Sequence, residues 1–184
     1  MAKPSGYSAL QKTLHWTIAV GVLAMIPLGL YMVRRYVETN FDAATAKLYD
    51  THKLLGFLLL WLVILRLGIR MVRGVPPLPA TLAPAQRLAA AATHGGIYLL
   101  LVAIPVLGWV GASAYDTRSM LGGFALPRIA GHDEDFAYRI LWVHGWAAIA
   151  LGVLAAAHIA AALLHRFVLR DGVFQRMWPS RRES

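Results

Sequence analysis

Seven histidines punctuate a chain of 184 residues, and six of them lie in or beside long apolar runs. An ionisable side chain within such a run is costly to bury, which makes each a functional candidate. For a single histidine, a neutral imidazole hydrogen-bonded to a neighbouring helix explains as much. The last apolar run, Arg139 to Arg170, carries His144 and His158 fourteen residues apart. At 3.6 residues per turn both rings project from one face, about 21 Å apart along the axis. Ala148, Leu151, Gly152 and Ala155, mostly small, lie between them on that face. Imidazole is the commonest metal-ligating side chain. Two such rings at two depths, with room beside them, predict a helix that ligates two stacked cofactors.

Such a helix needs neighbours. With 58% hydrophobic and 15% charged residues, the chain is too apolar for an ordinary soluble domain. Four runs are each long enough to cross a bilayer. The expected fold is all-α, a single membrane domain over residues 1–184, built as an integral four-helix up-and-down bundle. The expected helices cover about 8–33, 46–70, 86–114 and 137–169, with a short amphipathic segment at 172–178 on the cytoplasmic surface. A soluble bundle would need polar helix faces, and LLGFLLLWLVIL has none. Pro27 and Pro105 bend their helices, and neither is evidence for a site. Loop one is placed at about Arg34 to Lys47. Loop two, around Pro76 and Pro77, is too rich in proline for one helix. Loop three runs from Tyr115 to Phe136, and its sequence leaves open whether it is partly buried. Asp133 to Asp135 suit the N-terminus of helix four.

Charge orients the bundle. The two termini and loop two carry eleven basic residues against two acidic ones, and the opposite side carries seven against seven. Basic residues collect in the cytoplasm, so both termini are expected there. This topology signal also accounts for the formal charge of +9 without nucleic-acid binding. There is no cysteine, which excludes disulfides, thiolate zinc, iron–sulfur clusters and thioether haem attachment.

With that topology, His52 and His144 share the outer level. His15, His94, His158 and His165 occupy the cytoplasmic one. Two axial imidazoles saturate haem iron and favour electron transfer over oxygen activation. Four axial positions then take His52 with His144 outside, and His15 with His158 inside. His94 is the rival for the inner pair, and His94 or His165 can otherwise hydrogen-bond to a ligand. Tetrahedral zinc would need more ligands in one place, and the span cores hold no Asp or Glu. Haem propionates need cationic partners; Arg66, Arg70, Lys12 and Arg87 are candidates inside, and Lys53, Arg34, Arg35 and Arg139 outside. For most of these, marking topology or snorkelling to headgroups is the simpler account. Gly56, Gly145 and Gly152 offer space for macrocycles, and close helix packing explains them nearly as well.

The motifs carry a resemblance across nearly the whole chain: LHW near the start, HKLLG opening helix two, THGGIYLLLVAIPVLGW in helix three, and WVHGWAAIALGVLAAAHIAAALLHRFVLRDGVFQRMWP at the end. In these the sequence resembles the bacterial cytochrome b561 family, in the broad group with b-type cytochrome subunits of hydrogenases. The resemblance implies a four-helix inner-membrane cytochrome with two haem b groups, and His15, His52, His144 and His158 as axial ligands. It also implies a link to ubiquinone, with a role for His94 or His165 at the quinone or in its proton supply, and, as one attributed activity, oxidation of external superoxide. The expected function is electron transfer between an outer donor and quinone. The alternatives are a subunit relaying electrons for a partner respiratory or hydrogenase-type enzyme and, last, a haem-free metal-transport or structural bundle.

Overall fold

The computed structural model describes residues 6–77 and 82–178. Four helices follow one another: α1 (Ala9–Thr39), α2 (Ala43–Arg73), α3 (Pro84–Ala114) and α4 (Glu134–Leu164). Each has 31 residues. That is about 45 Å, longer than a hydrocarbon core of about 30 Å, so the ends reach the headgroup layers. All four are apolar and long enough to span, and the chain is a multi-pass membrane protein.

Local chemistry sets the ends. Ser8 and Gln11 form a reciprocal capping box at α1. The first two helices are longer than expected, and loop one shrinks to Asn40–Asp42. The extension of α1 carries an Arg34–Glu38 pair at i,i+4, and Asn40 ends it in the left-handed conformation. Asp42 starts α2 at once by accepting from the Thr45 N–H at 2.8 Å. Pro84 opens α3 at a position where no N–H is needed. Asp133 caps α4, with Glu134 and Asp135 in its first turn. A short π-helix, His165–Leu169, follows α4, so the expected end at 169 splits into α-helix and π-turn.

Packing is tightest between α3 and α4, then between α1 and α2; α1 and α4 barely meet. The seam between these two helix pairs is where the imidazoles lie. Midway along it, Ile18, Val22, Val63 and Leu151 form a buried aliphatic layer, joined by Ile26 and Ile104 among others. Leu151 stands halfway between His144 and His158, so this layer separates two depths of the bundle. The termini and loop two make the proximal end of the bundle, and loops one and three the distal end.

Loop three is an ordered cap. Met120 and Leu126 are buried against Ala112, Leu54, Phe57 and Trp109. Asp50 ties α2 to it, accepting from Ser119 Oγ and pairing with Lys53. The C-terminal segment forms a 3-10 turn at Phe174–Arg176 and docks on the protein instead of only resting on lipid. Trp16 Nε1 donates to the Met177 carbonyl at 2.9 Å, and Lys12 donates to that of Trp178 at 3.0 Å. Arg176 donates to the Pro77 carbonyl.

Candidate functional site

The bundle brings together the histidines in two tiers. In the distal tier, His52 on α2 and His144 on α4 have ring centroids 6.0 Å apart and planes at 74°. In the proximal tier, His15 on α1 and His158 on α4 are 6.2 Å apart at 77°. His94 on α3 lies 5.2 Å from His158. The His94 side chain is exposed. His165 is engaged elsewhere: its Nδ1 donates to Asp171 Oδ2 at 2.6 Å.

These separations can be compared with what one iron requires. A metal–imidazole bond is about 2.0 Å, and ring atoms lie about 1.1 Å from the centre of a five-membered ring with bonds of about 1.33 Å. Two imidazoles trans across one iron therefore have centroids about 6.2 Å apart. The 6.0 and 6.2 Å pairs fit that span, while 5.2 Å is too short for it. Among the described residues no group of three or more His, Asp or Glu side chains is arranged to hold a metal ion.

The distal rings are oriented by backbone. His144 Nδ1 lies 2.8 Å from the Ile104 carbonyl. A carbonyl only accepts, so Nδ1 carries the proton and Nε2 keeps its lone pair for a ligand bond. Gly108, one turn past Ile104 on α3, makes this approach possible: a Cβ there would stand 3.1 Å from His144 Cε1 and 3.2 Å from Nδ1. Gly29 on α1 plays the same part for His52, at 3.4 Å. The Nδ1 of His52 is buried with no partner among the described residues. Neither glycine nor the carbonyl was singled out from the sequence. Of the glycines expected to leave space, Gly145 has open space beside it, while a Cβ at Gly56 would meet Met25 at 3.6 Å and one at Gly152 would meet Ile26 at 3.5 Å, both ordinary contacts.

The candidate cations separate by tier. Lys53 is committed to Asp50 at 2.9 Å and to the Thr117 carbonyl at 2.9 Å. Arg34 and Arg35 pair with Glu38 and Asp42. Arg118 and Arg128 share Asp116. Hydrogen bonds from Thr45, then the Arg35 charge, hold the Asp42 carboxyl below its usual range. At the other end, Arg66 donates to the Gln11 carbonyl at 2.7 Å and to Tyr98 Oη at 3.1 Å. Arg70 sits 5.6 Å from the centre of the Tyr98 ring. Withdrawal from water would raise Asp171, but the Val173 N–H and the His165 ring outweigh it and hold that carboxylate low.

Sequence comparison gives the family. The family pattern of prokaryotic cytochrome b561 matches residues 6–180. Cytochrome b561 homolog 2 of Escherichia coli is 35% identical over 179 residues, covering 95% of this chain and 92% of its own length. Cytochrome b562 of Cereibacter sphaeroides is 35% identical over 182 residues, covering 96% and 98%. The "Probable superoxide oxidase CybB" of Yersinia pestis is 26% identical over 176 residues, covering 96% and 97%. The family is one of haem b cytochromes, and the distal and proximal histidine tiers sit within the matched region. This membrane-embedded electron-transfer protein belongs to the prokaryotic cytochrome b561 family.

Proposed function

We propose that the chain carries electrons across the bilayer on two haem b groups, one held by His52 and His144 and one by His15 and His158. The observation that carries this reading is the spacing: two imidazole pairs, each at the span of a trans bis-imidazole iron, separated by an aliphatic layer. Haem supplies one-electron chemistry. The protein's residues do the rest. His144 is locked in the tautomer that ligates. Ile18, Val22, Val63 and Leu151 keep water and ions out between the tiers. With two imidazoles holding each haem, oxygen would find no open ligand position there.

We place the termini in the cytoplasm, on the charge asymmetry of the sequence. The distal tier then takes electrons from an external donor, and the proximal tier delivers them to ubiquinone in the bilayer. Superoxide is the donor favoured by the likeness to a relative bearing that activity in its name. Two superoxide ions give two electrons and two molecules of oxygen; ubiquinone takes the two electrons and two protons to become ubiquinol. His165, held by Asp171, and His94, exposed and 5.2 Å from His158, are the side chains beside the proximal tier suited to hand on those protons. The pairing of Lys53, Arg34, Arg35 and Arg118 with carboxylates leaves the distal surface only weakly attractive to an anion.

A second reading is an electron relay for a partner enzyme. It is favoured by loop three, which is tied down over the bundle and leaves no domain for substrate chemistry. Proteoliposomes containing the purified chain and ubiquinone separate the two. Superoxide generated outside is expected to yield ubiquinol. Reducible haem with no quinol formed would favour the relay.

A further inference from the structure

At the proximal end Tyr7, Gln11, Arg66, Arg70, Val75 and Tyr98 line a narrow cavity between α1, α2 and α3. Tyr98 engages two guanidiniums at once: its hydroxyl accepts from Arg66, and its ring lies beside Arg70. These arginines are one helical turn apart on α2, so they repel each other. Neither meets a carboxylate among the described residues. Arginines that only marked topology would snorkel outward to water; Tyr98 and the Gln11 carbonyl hold these against the bundle. Their depth matters. Gln11 is one turn from His15, and Tyr98 is one turn from His94, so the charge stands at the level of the proximal imidazoles. Arg66 is close enough to His15 and His94 to interact with both electrostatically.

The distal tier has no counterpart. The cation next to its histidine, Lys53, is neutralised by Asp50. Lys47 and Arg139 have no ion pair among the described residues, but both are exposed and screened by water.

We infer that Arg66 and Arg70 set the direction of transfer, by making the proximal tier the easier of the two to reduce. This deepens the two-haem reading and rests on it. Net charge around a haem is one of the determinants of its potential, and nearby positive charge favours the reduced form. The step itself is one electron leaving the distal site and arriving at the proximal one. No bond or proton moves, and no further reactant is needed. A unit charge about 10 Å away, at an effective dielectric of about 20, changes a one-electron equilibrium on the order of tenfold. For one electron, a tenfold change corresponds to about 59 mV.

Potentiometric titration of the full-length holoprotein, in nanodiscs of zwitterionic lipid, tests this. His52→Ala leaves one wave and identifies the proximal potential. In the otherwise unaltered protein, the proximal wave is expected to lie above the distal one. Arg70→Gln removes charge without removing a side-chain hydrogen bond, and is expected to lower the proximal wave by about 59 mV, a tenfold change, while the distal wave stays. Arg66→Gln is expected to lower it likewise. Should that variant fail to fold, Arg66→Lys keeps the charge and is expected to keep the potential. Arg73→Gln, at the exposed end of the same helix, is expected to move neither wave. If both haems are present and Arg70→Gln and Arg66→Gln leave the proximal wave unmoved, a bound anion already neutralises the pair and the inference fails alone. Equal movement of both waves overturns it too. A wild-type protein without haem would instead overturn the reading beneath it.

Discussion

The two histidine tiers look alike from the centre of the bundle and differ in what surrounds them. Backbone and neutral pairs fasten the distal tier: the Ile104 carbonyl orients His144, Gly29 and Gly108 admit the rings, and Asp50 spends the charge of Lys53. Adaptable side chains surround the proximal tier: a third imidazole at 5.2 Å, two arginines that meet no carboxylate among the described residues, and the Trp16 edge packed against His15. A fixed site tolerates little change in its ligands. A site ringed by charge and imidazole can be tuned in potential and can exchange protons. The difference suits a chain that only collects electrons at one end and must pass them into proton-coupled chemistry at the other.

The largest effects come from deleting ligands. His144→Ala is expected to halve the haem content, because the one further distal imidazole among the described residues, His132, is held in loop three by the Ala114 carbonyl; pyridine haemochrome quantitation reads this directly. Replacing His94 sharpens the contrast. His94→Ala is expected to retain two haems per chain, since its 5.2 Å separation from His158 is too short for trans ligation. Loss of a haem in that variant, with His15→Ala keeping both, would move the proximal ligand from α1 to α3.

A smaller effect is expected at the distal contact between α3 and α4. Gly108→Ala places a methyl carbon 3.1 Å from His144 Cε1. The ring must shift and weaken its bond to Ile104, at a cost of about 1–3 kcal/mol. The expected outcome is a changed distal potential and faster loss of distal haem on dilution, with the proximal wave intact. Smaller still is the effect of Asp42, the cap of α2. Its carboxyl is held below the ordinary value of 3.8 in the fold, so its stabilisation is present above that pH and is lost as the pH falls through the lower folded value. Asp42→Ala is expected to melt earlier than the wild type near neutrality and alike once both are taken well below pH 3.8. Thermal unfolding followed by circular dichroism at the two pH values checks it.

How far these features could be read from the sequence follows from their physics. Helical period, proline in loop two and the run lengths were enough for four helices, and the 3.6-residue repeat placed His144 and His158 on one face. Depth followed from charge asymmetry, and depth alone grouped His52 with His144. The same reasoning left His15 and His94 together at one level, because depth says nothing about lateral distance. The orienting group of His144 is a carbonyl, and every residue has one, so no residue type announced Ile104. Gly108 was visible only as a glycine in an apolar helix, where close packing explains it equally well. Loop one reads as longer than it is for a related reason. Arg34 and Glu38 looked like loop charges, yet they form a helical i,i+4 pair beyond the hydrocarbon. The fold of loop three depends on Asp50, 69 residues from Ser119 in sequence.

The central claim is that each tier holds one iron. Anomalous scattering at the iron edge, from crystals of the holoprotein, locates that metal without assuming its ligands. Two peaks per chain are predicted, one between His52 and His144 and one between His15 and His158, each about 2.0 Å from two imidazole nitrogens. A single peak, or iron bound to His94 in place of His15, would contradict the account.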